Sequence, residues 1–141
     1  MSAVDRDRRM ARLLALGEQS ARASEARFAH SISCAADAAA TLSHIEGLIL
    51  TAAPMADARN VAALMSAAHL RGLLVPAAAA AASRLSIALR ARCEAEARLV
   101  FDRSRASRFA DQARTARHAL ITEATAREAN DRPQRSRKTG S

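Results

Sequence analysis

The fold is decided by the stretch from Ala77 to Arg132, which reads AAAAAASRLSIALRARCEAEARLVFDRSRASRFADQARTARHALITEATAREANDR and contains neither Pro nor Gly. Ala, Arg, Glu and Leu dominate this stretch, and these residues are strong helix formers. It therefore predicts one continuous helix of about 80 Å, at ~1.5 Å per residue. A helix of this length is stabilised by burying an apolar stripe against a partner, so the stretch predicts a long paired helix.

The segment from Val4 to Ala53 supplies the predicted partner helix. Ser2 and Asp5 have the spacing of a capping box, which predicts the start of the helix, and Pro54 predicts its end. Apolar residues recur at every seventh position, which is typical of a coiled coil. The members of this row are Leu14, Ala21, Phe28, Ala35, Leu42 and Ile49. The companion row is weaker and consists of Gly17, Ser24, Ser31, Ala38 and Ile45.

A turn is predicted between the two helices, after Pro54. The following segment, 61–75, is helical in pattern but almost uncharged, and the Pro76 ring should clash with the Gly72 carbonyl and kink or break the helix. The sequence therefore predicts an all-α antiparallel two-helix coiled-coil hairpin with a kinked apolar tip. Its predicted parts are a helix over 3–53, a tip over 54–76, a helix over 77–129 and a disordered basic tail over 131–141.

The second long helix has a three-four pattern of apolar residues. The pattern runs through Ala78, Ala82, Leu85, Leu89, Leu99, Ala106, Ala110, Ala113, Leu120 and Ala124. Charged residues at Arg92, Glu96, Arg103 and Arg117 interrupt it, which predicts a wet or loosely paired distal half. With the turn near Met55, residue 3 should lie opposite residue 109. Residues 110–129 should then extend beyond the first helix as a free helix that needs a partner.

Composition limits the class of protein. The chain has 141 residues, three Phe, no Tyr and no Trp, which favours one domain with a narrow core. The net charge of +8 favours acidic protein surfaces, nucleic acid or anionic lipid as partners. Cys34 and Cys93 follow no metal or disulfide spacing, so we expect reduced, half-buried thiols in a cytosolic protein. The charged amino-terminal segment is unlike a secretory signal, and His69, Arg71 and Pro76 argue against a membrane span over 61–82.

Catalytic chemistry has no visible site in the sequence. His30 and Cys34 share a helix face, but no third metal donor recurs with them. No Ser or Cys nucleophile stands in a catalytic context, and four Gly cannot build a phosphate loop. We therefore expect a non-enzymatic protein without metal, cofactor or small-molecule substrate.

Binding surfaces are easier to predict than chemistry. Residues 90–117 contain eight Arg and four acids, which fits either a solvated face or nucleic-acid binding. Ile87 and Phe101 lie two residues after Leu85 and Leu99 of the three-four pattern, on a flank that the first helix should not cover. Exposed apolar residues there favour docking of a partner, although a shifted register would bury them. Leu70, Leu73, Leu74 and Val75 make the same prediction for the tip. A basic nucleic-acid-binding coiled coil and a dimerising scaffold both remain alternatives.

The layout resembles the FliJ family of flagellar type III export proteins. The resemblance rests on the total length, the helix of about fifty residues, the tip and the longer second helix. The end of that second helix, Ile121 to Ala129, is similar to the family's pattern, with Thr122 in place of the first member of an acidic pair. Leu70, Leu74 and Ala77 match the spacing of the family's gate-contacting stripe, whereas Ala81 is smaller than the residue that the family tends to hold.

The resemblance implies an adaptor whose free helix ends enter the pore of a hexameric export ATPase. It also implies contact with the membrane export gate protein through the flank or tip, and handling of empty export chaperones. The residues implied at the ATPase ring are Arg114, Arg117, Glu123 and Arg127. Such a protein is expected to be cytoplasmic and peripheral at the inner face of the cell membrane.

Overall fold

The computed structural model describes residues 1–52 and 61–138, the last six as backbone only. The described part contains two helices: α1, Ala3–Ala52, and α2, Val61–Lys138. They pack against each other, and the described residues contain no strand. The predicted all-α helical hairpin is confirmed.

The predicted capping box at the start of α1 is also confirmed. The Asp5 backbone N–H donates to Ser2 Oγ at 3.1 Å. In return, Asp5 Oδ2 accepts hydrogen bonds from Ser2 Oγ at 2.6 Å and from the Ser2 backbone N–H at 3.4 Å. These bonds from Ser2 favour the carboxylate and lower the pKa of Asp5.

The inner face of α1 follows the predicted register. Every residue of the row from Leu14 to Ile49 and of the companion row from Gly17 to Ile45 is buried or half-buried. Bulky residues such as Phe28, Leu42 and Ile49 mark this face in the sequence, because few positions elsewhere on α1 repeat an apolar residue at seven-residue intervals. The sequence therefore predicts which side of α1 faces α2.

The inner face of α2 was predicted only in part. Most residues of the predicted pattern are half-buried or buried, but Ala82, Leu89 and Ala124 are exposed. A second inner row was missed: Ala81, Ala88, Ala95, Asp102, Phe109 and Ala116. The predicted interruptions were wrong, since Arg92, Glu96, Arg103 and Arg117 are all exposed. The contact face between α1 and α2, which we call the seam, contains a different ionisable side chain, that of Asp102, which is only 2% exposed.

The predicted element boundaries need correction. α2 begins at Val61 and continues through Pro76, so the helix predicted over 61–75 is present but does not break at Pro76; residues 53–60 lie outside the described part. Pro76 removes the hydrogen bond to the Gly72 carbonyl, but Gly72 is exposed and water can bind that carbonyl instead. At the other end, α2 extends to Lys138 where a disordered tail was predicted, and residues 139–141 lie outside the described part.

The chain divides into two compact units. Unit 1 combines Met1–Ser24 with Leu99–Ser141, and unit 2 is Glu25–Arg98. Among the residues whose side chains are described, the buried ones in unit 1 are Gly17, Ser24, Leu99, Asp102 and Ala116, and those in unit 2 are Ala35, Ala52, Ala67 and Ala81. Within the described residues, α2 is the one helix long and apolar enough, by length and composition, to cross a membrane, and little of its apolar window is buried.

Candidate functional site

The candidate site is the exposed end of α2 in unit 1. Every residue from Ile121 to Arg132 is exposed, whereas Ala119 and Leu120 immediately before them are half-buried. We call residues 121–132 the carboxyl-terminal arm. A free helix was predicted here but from Ala110, and that start was wrong because Ala110, Ala113 and Ala116 still face α1.

A buried polar pair joins α1 to α2 in unit 1. Ser24 Oγ donates a hydrogen bond to Asp102 Oδ2, and each residue is only 2% exposed. A hydroxyl removed from water needs such a partner, because an unsatisfied buried polar group costs about 1–3 kcal/mol. The pair therefore specifies which residue of α1 lies opposite Asp102.

An aromatic contact lies closer to the arm. A Cβ atom on Gly17 would stand 2.8 Å from Phe109 Cδ2 and 3.4 Å from Ala106 Cα, so only glycine leaves room for the ring. The Arg105 guanidinium lies 5.9 Å from the centre of the same ring, and its Nη2 donates to Ser20 Oγ at 3.5 Å. Phe109 is thus enclosed by α1 on one side and by a cation on another.

Two ion pairs occupy the region before the arm. Arg117 Nη1 lies 3.3 Å from Asp7 Oδ2, and Arg114 pairs with Asp111 one turn away. The side chains of Arg117 and Arg114 are 65% and 79% exposed, so each pair contributes little to stability. The Asp7 to Arg117 contact shows how far α1 reaches: residue 3 was predicted opposite residue 109, but α1 residue 7 already lies beside residue 117.

The residues predicted to meet an ATPase ring therefore fall into two groups. Glu123 and Arg127 lie in the arm, whereas Arg114 and Arg117 lie on the part of α2 that is paired with α1. The arm carries no excess of positive charge. Its two Arg are accompanied by three carboxylates, Glu123, Glu128 and Asp131.

A groove lies at the base of the arm, between the start of α1 and the part of α2 that precedes Leu120. Its volume is about 430 Å³. It is lined by Arg6, Met10, Asp111, Gln112, Thr115, Ala116 and Ala119. With Met10 and two Ala among its lining residues, the groove offers an apolar contact surface next to the exposed arm.

The other predicted docking residues lie outside the arm. Leu70 is 46% exposed, Ala77 is exposed and Leu74 is half-buried, so these three do not form one exposed surface. Leu70 lines a second groove with Ala52 and Ala67 in unit 2. Ile87 and Phe101 are 67% and 49% exposed, which agrees with their predicted position beside the inner row.

No metal centre forms around the histidine and cysteine pair. His30 Nε2 and Cys34 Sγ are 3.4 Å apart, but the described residues contain no group of three or more His, Cys, Asp or Glu able to hold a metal. Both thiols are free. Cys34 and Cys93 are exposed rather than half-buried as predicted, since each points away from the seam.

Comparison with known proteins adds no assignment. No protein-family model matches the chain, and no curated protein or solved structure matches it.

Proposed function

We propose that the chain is a non-enzymatic adaptor of a flagellar type III protein export apparatus, similar to the FliJ family, and that its arm binds the export ATPase ring. The observation that supports this proposal is the complete exposure of residues 121–132 directly after a paired segment. A helix bare on all sides buries nothing against its own chain, so all of its faces are open to a partner. A partner that surrounds it would use every face.

The arm is a suitable ligand for a pore because the part of α2 directly before it is already paired with α1. A free helix of twelve residues is marginal in water because nucleation is costly, but the arm continues a helix already formed by residues 99–120. Binding would therefore cost less ordering entropy than binding of a disordered segment. Carboxylates and guanidinium groups are interspersed along the arm and would select a pore lined by both signs of charge.

The remaining partners of the proposed adaptor are the export gate protein and the export chaperones, at the inner face of the cell membrane. Leu70 and Ala77 are exposed and available for a gate contact, whereas Leu74 would have to turn out of the seam. We accordingly propose that Leu70 and Ala77 contact the gate directly, and that Leu74 joins them only after it turns outward. Exposed Ile87 in unit 2 and exposed Phe101 in unit 1 are proposed as separate contacts for chaperones.

Titration into a purified flagellar export ATPase tests the proposal. We expect the full chain to raise the hydrolysis rate and the hexamer fraction, and a chain that ends at Leu120 to have neither effect while keeping its helical signal. The matched pair of variants is Arg127→Glu in the arm and Arg84→Glu on the same helix in unit 2, both exposed. Only Arg127→Glu should weaken the effect.

Two results would contradict the proposal. One is an ATPase whose rate and assembly ignore the full chain at micromolar concentration. The other is salt-sensitive retardation of duplex DNA at the same concentration, which would favour the nucleic-acid-binding alternative.

A further inference from the structure

α2 carries a second apolar stripe, on unit 2, that α1 does not cover. Its members follow one another at alternate steps of four and three residues, and every one is exposed and uncharged. They are Val61, Met65, Ala68, Gly72, Val75, Ala79, Ala82, Ser86, Leu89 and Cys93. We call it the outer stripe. Its bulkiest members are Val61, Met65, Val75 and Leu89, which are 71%, 70%, 56% and 45% exposed.

The outer stripe has a defined direction relative to α1. Several members directly follow residues that face α1: Val75 follows half-buried Leu74, and Ala82 follows buried Ala81. One residue along a helix is a rotation of about 100°, so the stripe points to the side of the α1 contact. A third helix packed beside α1 and α2 would contact it there.

The spacing and size of the stripe residues favour a helix as the occupant. A three-four repeat kept over more than four heptads is the pattern of a coiled-coil seam. Between the bulky residues lie Ala68, Gly72 and Ala79, and open space surrounds the Cβ position of Gly72. Small residues of this kind let a neighbouring helix approach closely, to an interaxial distance of about 8 Å.

The charges beside the stripe indicate which helix would bind. The flanking positions hold Arg71, Arg90 and Arg92, and the sequence from Val61 to Cys93 contains no Asp or Glu. Within the described part of the chain none of these three Arg forms an ion pair. A second copy of this chain that presented the same stripe would bring the same Arg and be repelled, whereas carboxylates at the facing positions would pair with them.

We infer that the outer stripe binds an amphipathic helix of another protein, one with apolar residues at three-four spacing and Asp or Glu on both flanks. The apolar residues supply the affinity, and the flanking charges supply the choice of partner. The stripe and the arm belong to different units, and this binding is independent of any contact with an ATPase.

A pair of synthetic helical peptides tests the inference on the full chain. Both have about four heptads with Leu and Ile in the seam; one carries Glu at the flanking positions and the other carries Lys. Fluorescence anisotropy should show saturable binding of the Glu peptide and at least about tenfold weaker binding of the Lys peptide. Added salt should weaken the Glu complex.

Matched variants locate the bound peptide. Val75→Glu should weaken binding of the Glu peptide at least about tenfold, whereas Leu73→Glu should leave its affinity unchanged. Leu73 is a matched control because its exposure is similar, 60% against 56% for Val75, but it points to the other side of α2. The double variant Arg71→Glu and Arg92→Glu should reverse the preference towards the Lys peptide. Circular dichroism of each variant checks that the helices persist.

Three outcomes would overturn the inference. The first is equal binding of the two peptides, or equal loss in Val75→Glu and Leu73→Glu. The second is a dimer in sedimentation that Val75→Glu dissociates, which would make a second copy the occupant. The third is binding to vesicles of phosphatidylcholine and phosphatidylglycerol that Val75→Glu abolishes, which would make the occupant a membrane.

Discussion

The two units use different residues to join α1 to α2. Unit 1 has a buried Ser24 to Asp102 hydrogen bond and a Phe109 ring seated against Gly17. Among the described residues of unit 2, the buried side chains are all Ala, and none is polar. Unit 1 thus contains two contacts that fit in one register only, whereas the fully buried residues described in unit 2 are small and alike.

The difference between the units shows that the contacts which bury apolar area are distinct from the contacts which fix the register of α1 against α2. A row of Ala and Leu buries apolar area in more than one register, since one Ala can replace another. A hydroxyl that must meet a carboxylate, or a ring that must meet a glycine, tolerates only one register. The contacts that determine register therefore lie in unit 1, next to the arm whose free length the register sets.

Pro76→Ala should give the largest change, and it concerns unit 2. A proline inside a helix costs about 3 kcal/mol relative to alanine through the lost hydrogen bond and the ring clash. Pro76 is exposed, so alanine removes this cost without opening a cavity. We expect the free energy of unfolding in urea to rise by up to about 3 kcal/mol. An unchanged midpoint would mean that unit 2 gains nothing from an unbroken helix.

Gly17→Leu should have the next largest effect and tests the Phe109 seat in unit 1. The Leu side chain has no room beside Phe109 and Ala106, so we expect a loss of about 2 kcal/mol, even after its better helix propensity. Thermal unfolding followed by circular dichroism measures it.

Gly47 provides the matched control on the same helix in unit 2. Nothing lies within 4 Å of its Cβ position. Gly47→Ala should therefore stabilise the chain by about 1 kcal/mol, the normal gain of alanine over glycine in a helix. Gly17→Ala should fail to show that gain. If both alanine variants stabilised equally, the ring would not be seated against Gly17.

A double-mutant cycle on Ser24 and Asp102 should give a smaller effect. Asp102→Ala leaves the Ser24 hydroxyl buried without its acceptor, and we expect a loss of about 1–2 kcal/mol. Ser24→Ala alone should also destabilise. The double variant should cost less than the sum of the two single changes, because removing both partners leaves no unpaired hydroxyl. Additive changes in urea unfolding would show that the hydrogen bond has no energetic coupling.

The sequence predicted the inner faces of the two helices unequally well. On α1, Phe28, Leu42 and Ile49 distinguish the inner face from the rest, so its register was predicted correctly. On α2, alanine occupies every face between residues 77 and 82, and the pattern could not separate inner Ala81 from outer Ala82. A residue that fits all faces carries no information on direction.

Asp102 was missed for a related reason. It was grouped with the other acids of the Arg-rich segment as a surface charge, although it lies seven residues from both Ala95 and Phe109 in the inner row. That spacing, together with Ser24 on the inner face of α1, was the available signal. The free length of the arm depends on the alignment of α1 with α2, and the turn position assumed from Pro54 did not provide it.

The smallest expected effect concerns the start of α1 and depends on pH. Hydrogen bonds from Ser2 lower the pKa of Asp5 in the folded chain, so the capping box adds stability above the ordinary carboxyl pKa and loses it as the pH falls through the lowered value. Because Asp5 is fully exposed, the change should be confined to the first turn rather than alter the unfolding of the whole chain. Amide exchange by NMR should show the Asp5 amide, which donates to Ser2 Oγ, losing protection as the pH falls below the ordinary carboxyl pKa of about 4, and Ser2→Ala should lose that protection already at neutral pH. Protection that is independent of both pH and Ser2 would show that the contact of α1 with α2, rather than the cap, holds the first turn.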